Sequence, residues 1–211
     1  MKILVQCDFD GTITEEDVGF LLLDRFAQGD WRPLLRDYNE HKIPVGDFNR
    51  QAFGMIKADR STLLEAIKGK VRVRAGFQEL AAYCSSRNFR LVIVSNGLDF
   101  YIEAVLTEIG LENMEVHAAH TGFCGDGLKV QYVGPDGKES YDGPKGPYIK
   151  SFLKEGYRVI YVGNGDSDIE PANYAHQILA RGRLLAHCRQ NNLRCVSFDD
   201  LNDVVSALKS W

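Results

Sequence analysis

No stretch of the sequence approaches the ~18 apolar residues of a membrane-spanning helix, and residue 2 onward runs into an apolar segment with no charged-then-apolar leader before it. The expectation is a soluble, cytoplasmic protein without a membrane partner. Cysteine is sparse and unpatterned. Cys7, Cys84, Cys124, Cys188 and Cys195 are odd in number and lack C-x-x-C spacing, which argues against a disulfide framework or a zinc knuckle. Cys7 reads as a small core residue. A basic excess is missing too: 25 Lys and Arg face 29 Asp and Glu, a net charge of -4. No nucleic-acid partner is expected, and phosphate groups have to be met locally. Internal repeats, low-complexity tracts and linkers are absent. What is present is 211 residues that are 45% hydrophobic, enough for one buried core with a modest insertion. Oligomeric state leaves no trace in the sequence.

The most informative stretch is residues 2–14, KILVQCDFDGTIT. Ile3, Leu4 and Val5 form an apolar run short enough for a buried parallel strand, and it stops at Asp8, Asp10 and Gly11, where strand gives way to loop. Strand tips of open α/β sheets are where ligands bind. Asp8 and Asp10 flank Phe9, so in extended geometry both side chains point the same way, and two like charges that close call for a cation. A hard, oxygen-seeking ion such as Mg2+ answers that need. Gly11 permits a tight turn with its N–H facing the site, and Thr12 adds a hydroxyl and a second N–H for an anion. The alternative is an ordinary surface turn.

Residues 15–75 read as helices throughout, with apolar residues at three-and-four spacing such as Val18, Leu21, Leu22 and Phe26. Residues 91–94 read as a second buried strand with Ser95 at its tip, then Asn96, Gly97 and a helix. A hydroxyl with the N–H groups after it makes an anion site; a plain helix N-cap is the other reading. Residues 114–141 alternate and carry two D-G turn signals, which predicts one or two hairpins projecting as a flap. His120 within it is expected to be structural. A short helix is predicted over residues 147–153, just after Lys145. Residues 159–162 form another strand, leading to an acidic loop with Asn164, Asp166, Asp168 and Glu170. The remaining strands and helices read as sheet-edge packing.

The segment DFDGT resembles the first motif of the haloacid dehalogenase superfamily, and matches to its other motifs follow in order. The resemblance implies that Asp8 is a nucleophile taking a phosphoryl group and Asp10 a general acid and base. It further implies that Ser95, with Asn96 beside it, holds a phosphoryl oxygen, and that Lys145 neutralises nucleophile and phosphoryl group together; Lys150 is the competing lysine. The fourth motif, G-D-x-x-x-D, whose first Asp coordinates Mg2+ and whose second buttresses the site, maps onto Gly163, Asn164 and Asp168, its first acid being Asn here. That register implies Mg2+ at Asp8, Asp10, Asn164 and Asp168. A register two residues later uses Asp166, with Glu170 as its partner.

The helices after the first strand resemble the small cap of the phosphoserine phosphatase branch. This implies a catalytic core of residues 1–14 and 76–211, and a cap of residues 15–75 that closes over the site. Asp17 stands where that branch places a Glu for the substrate amine, or it charges a helix N-terminus. Where an Arg would hold a serine carboxylate, Phe53 or Met55 stands instead, which speaks against phosphoserine. Phe20, Trp31, Phe48, Phe53 and Met55 either line a pocket for a less polar substrate or pack the cap. CDFDGTIT, the pair Phe53 and Gly54, SNGLDF and the tail ARGRLLAHCRQNNL resemble the methylthio-sugar phosphate phosphatases of methionine salvage. The expectation is an α/β protein with a Rossmann-like three-layer core, a parallel sheet and a small inserted α-helical cap. It would act as a Mg2+-dependent phosphatase on a small-molecule phosphate ester through an aspartyl-phosphate. A phosphotransferase or mutase of the same fold, and a non-catalytic ligand-binding module with impaired metal binding, are the rivals.

Overall fold

Leu4, Val5 and Cys7 have no exposed surface, and burial on both faces makes β1 (Lys2–Cys7) the central strand of the sheet. The computed structural model describes residues 2–210; Met1 and Trp211, the outermost residues of the expected core, lie outside them. Among the described residues no helix is long and apolar enough to cross a membrane.

Four helices follow β1: α1 (Val18–Phe26), α2 (Arg32–Asn39), α3 (Val45–Gly54) and α4 (Arg60–Ile67). The chain returns through α5 (Phe77–Ser86) to β2 (Arg90–Leu98), then runs through α6 (Asp99–Glu108), β3 (Glu115–Cys124) and β4 (Gly127–Gln131). α7 (Lys145–Lys154), β5 (Tyr157–Gly163), a 3-10 turn (Asp166–Asp168) and α8 (Ile169–Ala172) come next. β6 (Gln177–Ala180), α9 (Gly182–Gln190), β7 (Cys195–Ser197) and α10 (Leu201–Leu208) complete it.

The seven strands lie in the order β4-β3-β2-β1-β5-β6-β7. All neighbours are parallel except β3 and β4. Ile3 and Val5 pack on one face with Phe77, Leu80, Leu201 and Val204 of α5 and α10. Leu4 packs on the other with Ile149, Phe152, Leu184 and Cys188 of α7 and α9. The result is a three-layer α/β fold. The chain leaves β1 toward β2 and later crosses back to β5, so strand order switches beside β1, where a crevice opens at the carboxyl ends.

Two expectations need correction. Residues 114–141 hold the expected hairpin, between the far half of β3 and β4, but the near half of β3 is a strand of the main sheet parallel to β2. Alternating polarity marks an edge strand and a free hairpin alike, and pairing to β2 is a long-range event that local pattern does not carry. Lys145 opens helix α7 rather than preceding it. Gly146 and Pro147 hide the first turn, although Pro suits that position. For the core, Leu4→Ala should lower unfolding free energy by about 2–5 kcal/mol in urea titration, since it leaves a cavity between sheet and helices.

Candidate active site

β1 delivers Asp8 to the switch point. The Asp8 N–H donates to Val162 O at 2.9 Å, extending the ladder to β5, and Lys145 Nζ lies 2.8 Å from Asp8 Oδ1. Lys145 is buried in the first turn of α7, and Gln6 Nε2 donates to its carbonyl at 3.2 Å. The same ammonium lies 2.7 Å from Asp168 Oδ1 and donates to Ser167 Oγ at 3.0 Å. Lys150 instead pairs on the surface with Glu170, 3.1 Å away. Of the two candidate lysines, Lys145 is the one brought beside Asp8, and Glu170 faces Lys150.

Asp168 corrects the expected ligand set. Its Oδ1 accepts from Lys145 and from Tyr161 OH at 2.7 Å, and its Oδ2 accepts the N–H groups of Asn164 and Gly165, both at 2.8 Å. Fully buried with four donors, it has no oxygen left for a metal and acts as a buttress for Lys145.

The turn after β1 corrects a second expectation. The Phe9 carbonyl accepts the N–H groups of Thr12, Ile13 and Thr14. Gly11, at φ 74°, sends its N–H to Glu16 O and Thr14 Oγ1, both at 3.3 Å. Neither Gly11 nor Thr12 therefore offers a free N–H to a phosphate. The Thr12 hydroxyl donates to Asn164 Oδ1 at 3.0 Å, joining the turn to the loop after β5. Buried Arg74 holds the turn from outside, donating to the carbonyls of Thr12, Gly11 and Thr14 at 2.8, 3.1 and 3.2 Å.

Asp10 has different partners. Val18 N–H donates to its Oδ1 at 2.9 Å and Tyr101 OH to its Oδ2 at 2.7 Å. A Cβ on Gly97 would collide with both Tyr101 OH and Asp10, so only glycine fits there. Asp17 is the N-cap of α1, accepting Phe20 N–H at 2.9 Å, and it also lines the cavity. The helix N-terminal reading of Asp17 is the one this geometry shows. Ser95 sits on an irregularity of β2: Val94 pairs with His117 but Leu98 pairs with Ala119, so residues 95–97 bulge out of the ladder. Ser95 is buried with its Oγ accepting Gly97 N–H at 2.9 Å, and its hydroxyl hydrogen remains available.

Asp8, Asp10, Ser95, Asn96, Lys145 and Asn164 line one cavity of about 490 Å³. Phe20, Phe48 and Phe53 form its apolar wall. Trp31 stands behind Phe20, ring centroids 5.0 Å apart, and neither it nor Met55 reaches the cavity. His120, with 67% of its side chain exposed, faces Asp99 outside the cavity. Cys7 is core, its thiol pushed up by burial and then by Asp8.

Burial, then the charge of Asp168, raises the Asp8 carboxyl to about 8 despite Lys145. Burial, then Asp17, takes Asp10 to about 7, and burial takes Asp17 to about 6. Burial alone would lower the Lys145 pKa, but Asp168 and Asp8 outweigh it and raise it. So crowded an anionic pocket suits a cation. Among the described residues no three acidic, His or Cys side chains are grouped to hold a metal. The cavity lining nevertheless brings in the hard oxygens of Asp8, Asp10, Asn164 and Asp166, with no Cys or His. That set fits an ion such as Mg2+, which keeps several waters and asks for one or two carboxylates plus substrate oxygens.

Residues 5–172 match the model of the family described as haloacid dehalogenase-like hydrolase. The chain belongs to that family. Curated relatives of this hydrolase include the 2-hydroxy-3-keto-5-methylthiopentenyl-1-phosphate phosphatase of Geobacillus kaustophilus, 27% identical, covering 99% of this chain and 96% of that protein. The protein of the same name from an Exiguobacterium strain is 28% identical, with 99% and 98% covered. A substrate-bound phosphoserine phosphatase superposes with a TM-score of 0.72 at 18% identity over 98% of both chains. Phosphoserine phosphatase from T. onnurineus gives 0.70 at 19% identity over 99% and 95%. At such identities these two structures share the hydrolase's fold.

Sequence reasoning missed Arg74, Tyr101 and Tyr161, and also the pair Asn49 and Tyr132, in which Asn49 Nδ2 donates to Tyr132 OH and both side chains donate to the Asn96 carbonyl. The one available signal was a tyrosine in an otherwise apolar strand or helix, since a buried hydroxyl wants a partner. Lys145→Ala should cost about 3–5 kcal/mol of stability in denaturant titration, because it strands two buried carboxylates. Lys150→Ala should stay within roughly 0.5 kcal/mol.

Proposed function

We propose that the chain is a Mg2+-dependent phosphomonoester hydrolase working through a phosphorylated Asp8, with residues 15–75 as a cap over a core of residues 1–14 and 76–211. The observation that carries this reading is the buried Lys145 bridging Asp8 and Asp168 while Asp10 is held separately by Tyr101 and Val18. Two carboxylates at one strand tip are thereby given different tasks. The Asp8 oxygen that Lys145 does not hold attacks phosphorus, and the bond to the leaving alcohol breaks. Asp10, with a pKa near 7, gives that alcohol its proton. As a carboxylate it then takes a proton from the water that attacks the aspartyl-phosphate, and inorganic phosphate leaves. Ser95 and Lys145 neutralise the charge on the phosphoryl oxygens.

Mg2+, when bound, supplies further neutralisation of that charge; Asp8 and the Asn164 amide oxygen would hold it, with Asp166 near. Thr12 orients the amide by donating to its oxygen. Asn164 is neutral, so weak affinity for the ion is expected.

The substrate is a small phosphorylated metabolite with an apolar arm, of the methylthio-sugar phosphate type. The aromatic wall of Phe20, Phe48 and Phe53 and the names of the curated relatives both support it. Phe53 offers no charge to a serine carboxylate, which disfavours phosphoserine. A cytoplasmic location suits a substrate of that kind.

Asp8→Asn should reduce phosphate release from p-nitrophenyl phosphate by about a thousandfold or more with circular dichroism unchanged; ordinary turnover in that variant would refute the nucleophile. Asn164→Asp should lower the Mg2+ concentration for half-maximal rate by roughly tenfold. An unchanged value would move the ion to Asp166.

A further inference from the structure

Tyr38 has no part in the chemistry above, yet it stands over it. It lies on α2, whose residues are all at least partly exposed, whereas α1, α3 and α4 each bury two or more. α3 is tied to the sheet side along its length. Gly46 N–H donates to Tyr141 O at 3.1 Å, Asn49 Nδ2 to Asn96 O at 2.9 Å, and Leu128 N–H to Ile56 O at 3.0 Å. α1 is tied through Val18 to Asp10. The side-chain hydrogen bonds of α2 stay local, from Arg32 to Asp24 of α1 and from Lys42 to Asp37. α2 is thus a loosely held wall, and it brings Leu35, Tyr38 and Asn39 to the cavity.

The Tyr38 ring stacks on Phe48, centroids 5.6 Å apart and planes at 17°, which aims its hydroxyl. It lines the cavity together with Ser167, whose Oγ accepts from Lys145 Nζ at 3.0 Å. Burial, partly offset by Lys145, raises the phenol's pKa, so it keeps its proton at neutral pH. A neutral donor on the insertion and the ammonium beside Asp8 therefore line one cavity.

We propose that Tyr38 is a substrate-contacting residue: with a phosphate ester seated on Asp8, its hydroxyl donates to a non-bridging phosphoryl oxygen, closing the phosphoryl pocket from α2. No other residue of the insertion needs to move for this, because α3 already carries the ring that aims it. The inference rests on the hydrolase reading for its substrate but predicts anion binding independently of turnover.

Tyr38→Phe tests it, since the variant keeps the stack on Phe48 and removes only the hydroxyl. Calorimetric titration with inorganic phosphate in the presence of Mg2+ should show roughly tenfold weaker binding than the parent protein, in line with a lost hydrogen bond to a charged group. kcat/KM for p-nitrophenyl phosphate should fall by a similar factor, with the melting temperature unchanged. Equal phosphate affinity in Tyr38→Phe and parent protein would overturn the proposal, and a loss confined to Tyr38→Ala would assign the ring to packing alone. A parent protein that binds phosphate through Tyr38 but hydrolyses no ester would refute the hydrolase reading and leave this contact standing. A parent protein that binds no phosphate would end both.

Discussion

The ammonium of Lys145, 2.8 Å from Asp8 and 2.7 Å from Asp168, is the interaction on which the site depends. Three charged groups buried at the tip of a central strand are costly, and a buried ion pair seldom repays its own desolvation. Stability alone is therefore a poor reason for the arrangement. The use we propose for it is chemical: Lys145 keeps a positive charge beside Asp8 in a buried crevice and would offer the same charge to an incoming phosphate. Asp168 holds Lys145 in place, and its second oxygen gathers the N–H groups of Asn164 and Gly165. One carboxylate thus fixes both the lysine and the loop that carries the amide proposed to meet the metal.

A second constraint separates the two aspartates of the first strand. They lie two residues apart, yet Asp8 faces a lysine while Asp10 faces a tyrosine hydroxyl and a backbone N–H. The partners differ in kind: the Lys145 ammonium favours the ionised form of Asp8 against its burial, while the groups donating to Asp10 are neutral. Because Val18 opens α1, Asp10 also ties the helical insertion to the strand tip. The aromatic wall, Phe20 from α1 and Phe48 and Phe53 from α3, is thereby set at a fixed height above Asp8.

Much of this was legible in the residue order. The apolar run before Asp8, the three-and-four spacing of residues 15–75 and the strand before Ser95 each follow from local pattern, and all three form as expected. Partnerships were not legible. Asp168 and Asp166 look alike in the sequence, but one is enclosed by four donors and the other pairs with Arg183 at the cavity mouth. Arg72 and Arg74 look alike too, yet Arg72 is exposed and paired with Glu16 while Arg74 is buried around the turn. Which acid or base is enclosed depends on tertiary contacts, 23 residues apart for Asp168 with Lys145 and 62 for Arg74 with Thr12, and no periodicity encodes them. The Gly11 and Thr12 N–H groups failed as anion donors for a related reason, since a turn consumes its own amides before a ligand arrives.

The account's central claim is that the carboxylate beside Lys145 becomes transiently phosphorylated. Acid-quenching the enzyme during turnover of a good phosphate ester, reducing it with borohydride and mapping the peptides by mass spectrometry tests this directly, because reduction of an acyl phosphate turns aspartate into homoserine. The account predicts homoserine at position 8 and at no other acidic residue. Homoserine at Asp10, or an unmodified Asp8 in enzyme that is turning over, would contradict it.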